Sequence, residues 1–361
     1  MKHLSVLALL VCPPLFAAGP STDKTPNPAD WREQAKFKGH SPAGIRSARI
    51  ALDSATGLLA LTDTDKTIAL VDLKTGKVRA RLTGHRNLIM ALHIAGGTLS
   101  SVDTDGVFKQ WDAEKAKEKR SRSLGLKDIQ NAAFSADGKR LVTNAARLEA
   151  PALAKQFQVW DLSGDKKPWV VSAHSEHAYA AVFTADAKFV WTRGCAMIKP
   201  SESVKSFSEL TVNEARLFDV DKKREVLTLA DPSVSSVEPA PDGKHFAVVT
   251  FAPSEKSYFV KVHDSPGAKV QAQFKLGAPM ASALAFSPDG QYLAASVGSR
   301  GPFDKTAKVE IKIWDWKKGK LVSTLQGHTD GVEQLVWAAD GSYLLSSSRE
   351  GTIRKWGAPA K

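Results

Sequence analysis

His174-x-x-His177 is the one close histidine pair in the 361-residue chain, and its spacing suits a metal ion held from one side. His174 also falls at a recurring turn position and His177 opens a strand-like run, so both residues serve equally well in a turn or a core. The remaining carboxylates able to do acid–base work, such as Asp63, Asp103 and Glu214, are scattered along the sequence. No Gly-x-Ser-x-Gly nucleophile turn, phosphate-cradling glycine loop or Cys-x-x-Cys-His haem site occurs. Two cysteines are present, Cys12 and Cys195; a lone buried Cys195 reads as a small hydrophobe rather than a nucleophile. No catalytic residue, cofactor or metal ligand is assigned on these grounds.

The elements that would position any such residues are best seen from Lys308 to Trp356. Val309, Ile311 and Ile313 alternate with Glu310 and Lys312, the period-two pattern of a strand with one buried face. Further runs, Lys320 to Leu325, Val332 to Trp337 and Tyr343 to Ser348, are separated by Gly319, Gly327-His328 and Asp340-Gly341 turns, and a last one ends at Trp356. Connections this short make neighbouring strands antiparallel.

The same landmarks recur. Val71-Asp72, Trp111-Asp112, Trp160-Asp161, Phe218-Asp219, His263-Asp264, Trp314-Asp315 and Trp356-Gly357 occupy one place in seven successive units, and Gly39-His40, Gly84-His85 and Gly327-His328 a second, with Ala173-His174 a weaker match. The chain from about Trp31 to Trp356 thus resembles the WD-repeat (Trp-Asp repeat) β-propeller family, and in its details an exported bacterial type. The resemblance implies an all-β, seven-bladed propeller of four-stranded antiparallel blades. Trp31 to His40 aligns with Gly319 to His328, a fourth strand without a blade, so it should complete the last blade and close the ring. The resemblance also implies a buried hydrogen-bonded network of His85, Asp105 and Trp111 with Ser100 or Ser101. His328 and Trp356 take these roles in the last blade, where Glu350 stands at the Asp position and leaves the network open.

The hairpins between second and third strands are tight in blades one and two but interrupted in blades three to six, by 145–155, 193–212, 252–257 and 297–307. Equivalent hairpins emerge on one face, so these insertions should form a wall along one arc, and insertions of this kind often mark a binding face. Arg147, Lys155, Arg193, Lys199, Lys205, Lys256, Arg300 and Lys305, with Met197 and Phe303 as apolar anchors, are the expected partner-binding residues. Solvated decoration is the bland alternative.

The first twenty residues have a basic start at Lys2, an apolar run from Leu4 to Val11 and small residues at Ala17, Ala18 and Gly19, the pattern of a secretory signal peptide. The expected organisation is a signal peptide over 1–18, a flexible linker over 19–30 and one propeller over 31–361, in an exported, periplasmic or secreted protein without a transmembrane segment in the mature chain. A net charge of +12 favours polyanions, here an anionic envelope polymer rather than nucleic acid. The reading is a non-enzymatic scaffold for protein or peptide partners. The enzyme alternative, a hydrolase or lactonase with a metal in the central channel, needs polar first-strand residues aimed at one axis; Asn131, His93 and Glu333 are the candidates.

Overall fold

In the computed structural model the described residues are 24–39, 48–145, 155–175, 177–197, 211–229, 231, 233–265, 267–277, 283–298 and 308–358. Twenty-eight strands form seven antiparallel four-stranded sheets, with no α-helix among the described residues. β1 (Arg32–Lys38) precedes blade one, which comprises β2 (Ile50–Asp53), β3 (Leu58–Thr62), β4 (Thr67–Asp72) and β5 (Val78–Thr83). Blade two holds β6 (Ile89–Ala95), β7 (Thr98–Asp103), β8 (Val107–Asp112) and β9 (Lys117–Ser123). Blade three holds β10 (Ile129–Phe134), β11 (Arg140–Ala145), β12 (Gln156–Asp161) and β13 (Trp169–Ser172). Blade four holds β14 (His177–Phe183), β15 (Phe189–Met197), β16 (Thr211–Asp219) and β17 (Arg224–Leu229). Blade five holds β18 (Ser236–Pro239), β19 (His245–Ala252), β20 (Ser257–Asp264) and β21 (Val270–Lys275). Blade six holds β22 (Leu284–Phe286), β23 (Tyr292–Val297), β24 (Glu310–Asp315) and β25 (Lys320–Gln326). Blade seven combines β26 (Val332–Trp337), β27 (Tyr343–Ser348) and β28 (Thr352–Gly357) with β1.

First strands adjoin one another around the ring, and β26 of blade seven meets β2 of blade one. Closure is made by β1 on β28, with Phe37 opposite Ile353 and Arg32 opposite Gly357. The chain ends are thereby paired into one sheet, and that sheet has no gap at its seam.

Alternating strand residues face the two neighbouring blades, so the core is divided among seven seams. Leu284, Phe286 and Trp314 of blade six pack with Val249, Val260 and Phe274 of blade five. Phe37 and Ile353 of blade seven pack with Ile50 and Leu59 of blade one. The landmark residue ending each third strand looks back at the preceding blade: Trp111 lies in the seam with blade one, Trp160 with blade two, Phe218 with blade three and Trp356 with blade six. Each fully buried Leu, Ile or Phe contributes about 1.5–3 kcal/mol. Arginines add polar ties across seams, Arg122 Nη1 donating to Gly164 O (2.6 Å) and Arg140 Nη1 to Ala187 O (2.9 Å).

Residues 1–23, including the expected signal peptide and much of the expected linker, lie outside the described residues. The described remainder of that linker touches the ring at two buried residues, Thr25 and Pro28. Thr25 N–H donates to Asp289 Oδ2 (2.8 Å), and the Thr25 side chain fills the space where Gly341 would carry a Cβ. Pro28–Asp30 form a 3₁₀ turn, and Trp31 meets Trp337 at 5.4 Å between ring centroids. Thr25 and Pro28 are thus anchored on the ring, while Lys24, Pro26, Asn27, Ala29 and Asp30 are exposed.

Candidate functional site

Three histidines at the entry to first strands organise the face from which the second–third strand hairpins emerge. In blade two His85 Nδ1 bonds Asp103 Oδ2 (2.9 Å) and Nε2 bonds Ser101 Oγ (2.7 Å), which also accepts from Trp111 Nε1 (2.9 Å). The carboxylate is therefore Asp103, not Asp105. Asp103 ends β7 beside the imidazole and its other oxygen accepts the Asp105 and Val107 amides, whereas Asp105, at the hairpin tip, accepts from Asn87 Nδ2.

Blade seven forms the same network with a glutamate. His328 Nδ1 bonds Glu350 Oε1 (2.8 Å), and Ser346 Oγ bonds both His328 Nε2 (2.7 Å) and Trp356 Nε1 (2.8 Å). Glu350 stands at the hairpin-tip position that Asp105 holds in blade two, and its extra methylene spans the gap. Burial alone would raise the Glu350 pKa, but bonds from His328, Thr329 and Thr352 hold it well below the carboxylate range. Burial also lowers His328, only partly offset by Glu350. A neutral imidazole donating to an ionised carboxylate satisfies both shifts.

Blade four completes a third version. His174 bonds Glu214 Oε1 (2.8 Å) and Thr192 Oγ1 (3.1 Å), and Gly194 leaves room for the ring, since a Cβ there would lie 2.3 Å from it. His174 is buried and His177 is exposed at the first residue of β14, so the pair does not converge on one ion.

Two of the three channel candidates are engaged with other residues, and both ring nitrogens of the third, His93, have no hydrogen-bond partner. Asn131 Oδ1 accepts the Ala181 amide of the next blade (3.1 Å), and Glu333 pairs with Arg349. His93 is buried beside Phe134, and burial lowers its pKa to about 4. No group of three or more His, Cys, Asp or Glu among the described residues is arranged to hold a metal ion.

The four expected insertions all fall between second and third strands in the chain. β15 and β16 are nine residues each and stay paired to Met197 and Thr211. β19 and β20 run to Ala252 and Ser257, around a 3₁₀ turn at Pro253–Glu255, and the exposed Lys256 takes a left-handed φ of 46°. Lys155 is half-buried at the foot of β12. Arg147, Lys199, Lys205, Arg300, Phe303 and Lys305 lie outside the described residues.

Arg193 departs from its expected place on the partner-facing surface. Its guanidinium is buried over the Tyr179 ring (5.1 Å), burial lowering its pKa to about 10, and the Tyr179 hydroxyl lies 3.2 Å from Cys195 Sγ. Tyr179 is the extra residue of a bulge between Ala178 and Ala180, a register shift that recurs in the first strands of blades two, three and seven. One residue that sequence pattern did not single out is Glu238 of β18. It is 1% exposed, neither carboxylate oxygen has a hydrogen-bond partner, and burial pushes its pKa well above the usual range.

The family model for the WD domain, G-beta repeat, matches residues 277–309 and 319–357. The second match begins at β25 and ends with β28, so the sequence repeat takes the fourth strand of one blade and three of the next. The chain is similar to Protein groucho of Drosophila melanogaster, 26% identical over 184 residues, covering 51% of this chain and 22% of that protein. It is similar to Nuclear distribution protein PAC1 of Arthroderma otae, 24% identical over 298 residues, covering 79% and 62%. Nuclear distribution protein nudF of Aspergillus niger is 25% identical over 307 residues, covering 82% and 56%. The chain thus spans between about a fifth and three-fifths of these relatives, all eukaryotic. The similarity supports a WD-repeat propeller; it does not extend to an exported bacterial type.

Proposed function

We propose that this WD-repeat propeller is a non-enzymatic scaffold that binds a protein or peptide on the face carrying the second–third strand hairpins of blades three to six. One observation carries the reading: four consecutive blades lengthen the same hairpin while blades one, two and seven keep it tight. Random surface insertions, which cost little each, would fall on both faces and all arcs. The exposed Lys256 at the tip of the blade-five hairpin and the exposed His177 opposite Cys195 of β15 offer polar contacts on this face. The composition of the first twenty residues supports export, with the scaffold working in a cell envelope or outside the cell.

The test joins Met197 directly to Thr211 through a two-residue turn in place of 198–210. Partner capture from envelope extract should be lost by this variant and kept by the parent chain, with melting temperatures within about 2 °C because the change lies outside the seams. Equal capture by both chains would overturn the assignment.

A further inference from the structure

The fourth strand of each blade is the open edge of its sheet, on the outer wall of the ring, and charge is unevenly shared among the seven edges. β1, β5 and β9, of the adjoining blades seven, one and two, carry nine lysines and arginines against Glu33 and Glu118. β13, β17, β21 and β25 together carry three, against Glu225. Cationic side chains on an open edge discourage pairing with other chains. That cause would act on all seven edges, yet the other four expose Val170, Val226, Val270 and Leu321 instead, each 39–49% accessible. Edge protection therefore does not explain why the cations gather on one arc.

Several of these cations are internally engaged, Arg81 with Asp63 and Arg120 and Arg122 with Asp165. Arg32, Lys36, Lys38, Arg79, Lys117 and Lys119 are exposed and make no ion pair among the described residues, Lys119 reaching only the Thr98 hydroxyl (3.4 Å). Residues two apart on a strand share a side at a spacing of about 6.8 Å. Lys36 and Lys38 therefore stand as a same-side pair, Lys117 and Lys119 lie beside the bulge that leaves Lys119 without a register partner, and like charges held together repel until a polyanion neutralises them.

We infer that the outer wall of blades seven, one and two binds a linear acidic polysaccharide. Four of the six unpaired cations are lysines, flexible point charges that suit sulfates or carboxylates at varied spacing better than one fixed bidentate contact. The one aromatic residue on the three strands, Phe37, is buried, so no platform exists for stacking the bases of single-stranded nucleic acid. Val78 is the one large exposed apolar side chain on these three strands, which leaves no wedge for a lipid layer. Thr83, Ser121 and Ser123 are exposed and place hydroxyls beside the cations for sugar hydrogen bonds.

The test titrates the full chain with a fluorescent sulfated dextran oligomer at about 50 and 150 mM salt, since screening separates charge-driven binding from the rest. Arg79→Gln/Lys117→Gln/Lys119→Gln should weaken binding about tenfold or more at the lower salt and flatten its salt dependence, as lost phosphate-like contacts do for other polyanions. Arg224→Gln/Lys275→Gln/Lys320→Gln removes the same net charge from the other arc and should change binding less than about threefold, each lost exposed charge acting only at a distance. Lys117→Arg/Lys119→Arg keeps the charge and should bind as the parent does, which separates charge loss from misfolding. Equal weakening by the two triple variants, or no binding at the lower salt, overturns the inference. So does displacement of the dextran at lower concentration by a single-stranded homopolymer or by anionic vesicles.

Discussion

Blades seven, one and two differ from blades three to six in how each holds its polar groups. In blades two and seven every atom of the histidine network is paired: one serine serves both imidazole and indole, and a carboxylate fixes the second ring nitrogen. Across the other arc the network thins. Blade three keeps only Thr143 under Trp160 (3.0 Å), and blade four keeps His174, Thr192 and Glu214 but has Phe218 in place of the tryptophan. In blade five the tryptophan position is His263, stacked on Phe246, with its Nε2 buried and unpartnered. The same arc carries the long hairpins. Apolar seams hold both arcs, and blades two and seven add a complete polar network that blade one, with Val71 at the tryptophan position, does without.

The sharpest way to break this contrast is to open the ring. Deleting residues 31–38 removes β1, leaves β28 as a bare edge and takes Phe37 and Trp31 out of two seams. Unfolding should shift by several kcal/mol, of the order lost when two large aromatics leave a core at about 3–5 kcal/mol each. Both arcs should fall together in one transition, which differential scanning calorimetry reads directly. A regular arc that melted later than the irregular one would show that the two arcs are separate cooperative units.

A finer comparison sets Ser101→Ala against Thr143→Ala. Ser101 bonds both His85 and Trp111, so its loss strands two buried nitrogens and should cost about 2–4 kcal/mol; Thr143 bonds Trp160 and Gln158, and its loss should cost about 1–2 kcal/mol. Urea unfolding at constant m measures both. Equal costs would mean that the blade-two network adds nothing beyond the two bonds that Thr143 makes.

How much of this was legible follows from which interactions repeat. Strand alternation and turn residues recur in every unit, so the seven blades, their four-strand plan and closure by Trp31 to Lys38 could be read in advance. Which carboxylate meets His85 could not: Asp103 and Asp105 sit two apart on one hairpin, and only the register of Ile89 with Asp103 separates them. Arg193 misled because a cation in an interrupted hairpin looks solvated, while β15 stays paired past it and its guanidinium lies buried over Tyr179. Glu238 carried no pattern, since one acidic residue in a short strand does not reveal that its side chain faces a closed seam.

Glu238 gives the most delicate test of the irregular arc. The next-to-last residue of the first strand is Ala133, Val182, Ala285 and Val336 in blades three, four, six and seven, and Glu238 in blade five. With no partner and a pKa raised by burial, Glu238 is protonated when folded and ionised when unfolded across the pH range above the ordinary glutamate value. The unfolded chain then binds fewer protons than the folded one, so this residue makes stability fall as pH rises through that window, until the folded pKa is passed. His174 and Glu214 act oppositely: burial depresses His174, and bonds from His174 and Arg216 outweigh burial to depress Glu214, so both withdraw stability as pH falls below the unfolded values. Glu238→Val restores the apolar type of the other blades and should stabilise the chain by roughly 1–3 kcal/mol at neutral pH, the cost of a buried unpaired polar group. The gain should shrink towards pH 4.5, where the unfolded glutamate also takes up its proton. Chemical unfolding of both chains at pH 5 and pH 8 reads the difference, and a gain independent of pH would place the cost in packing rather than in the buried acid.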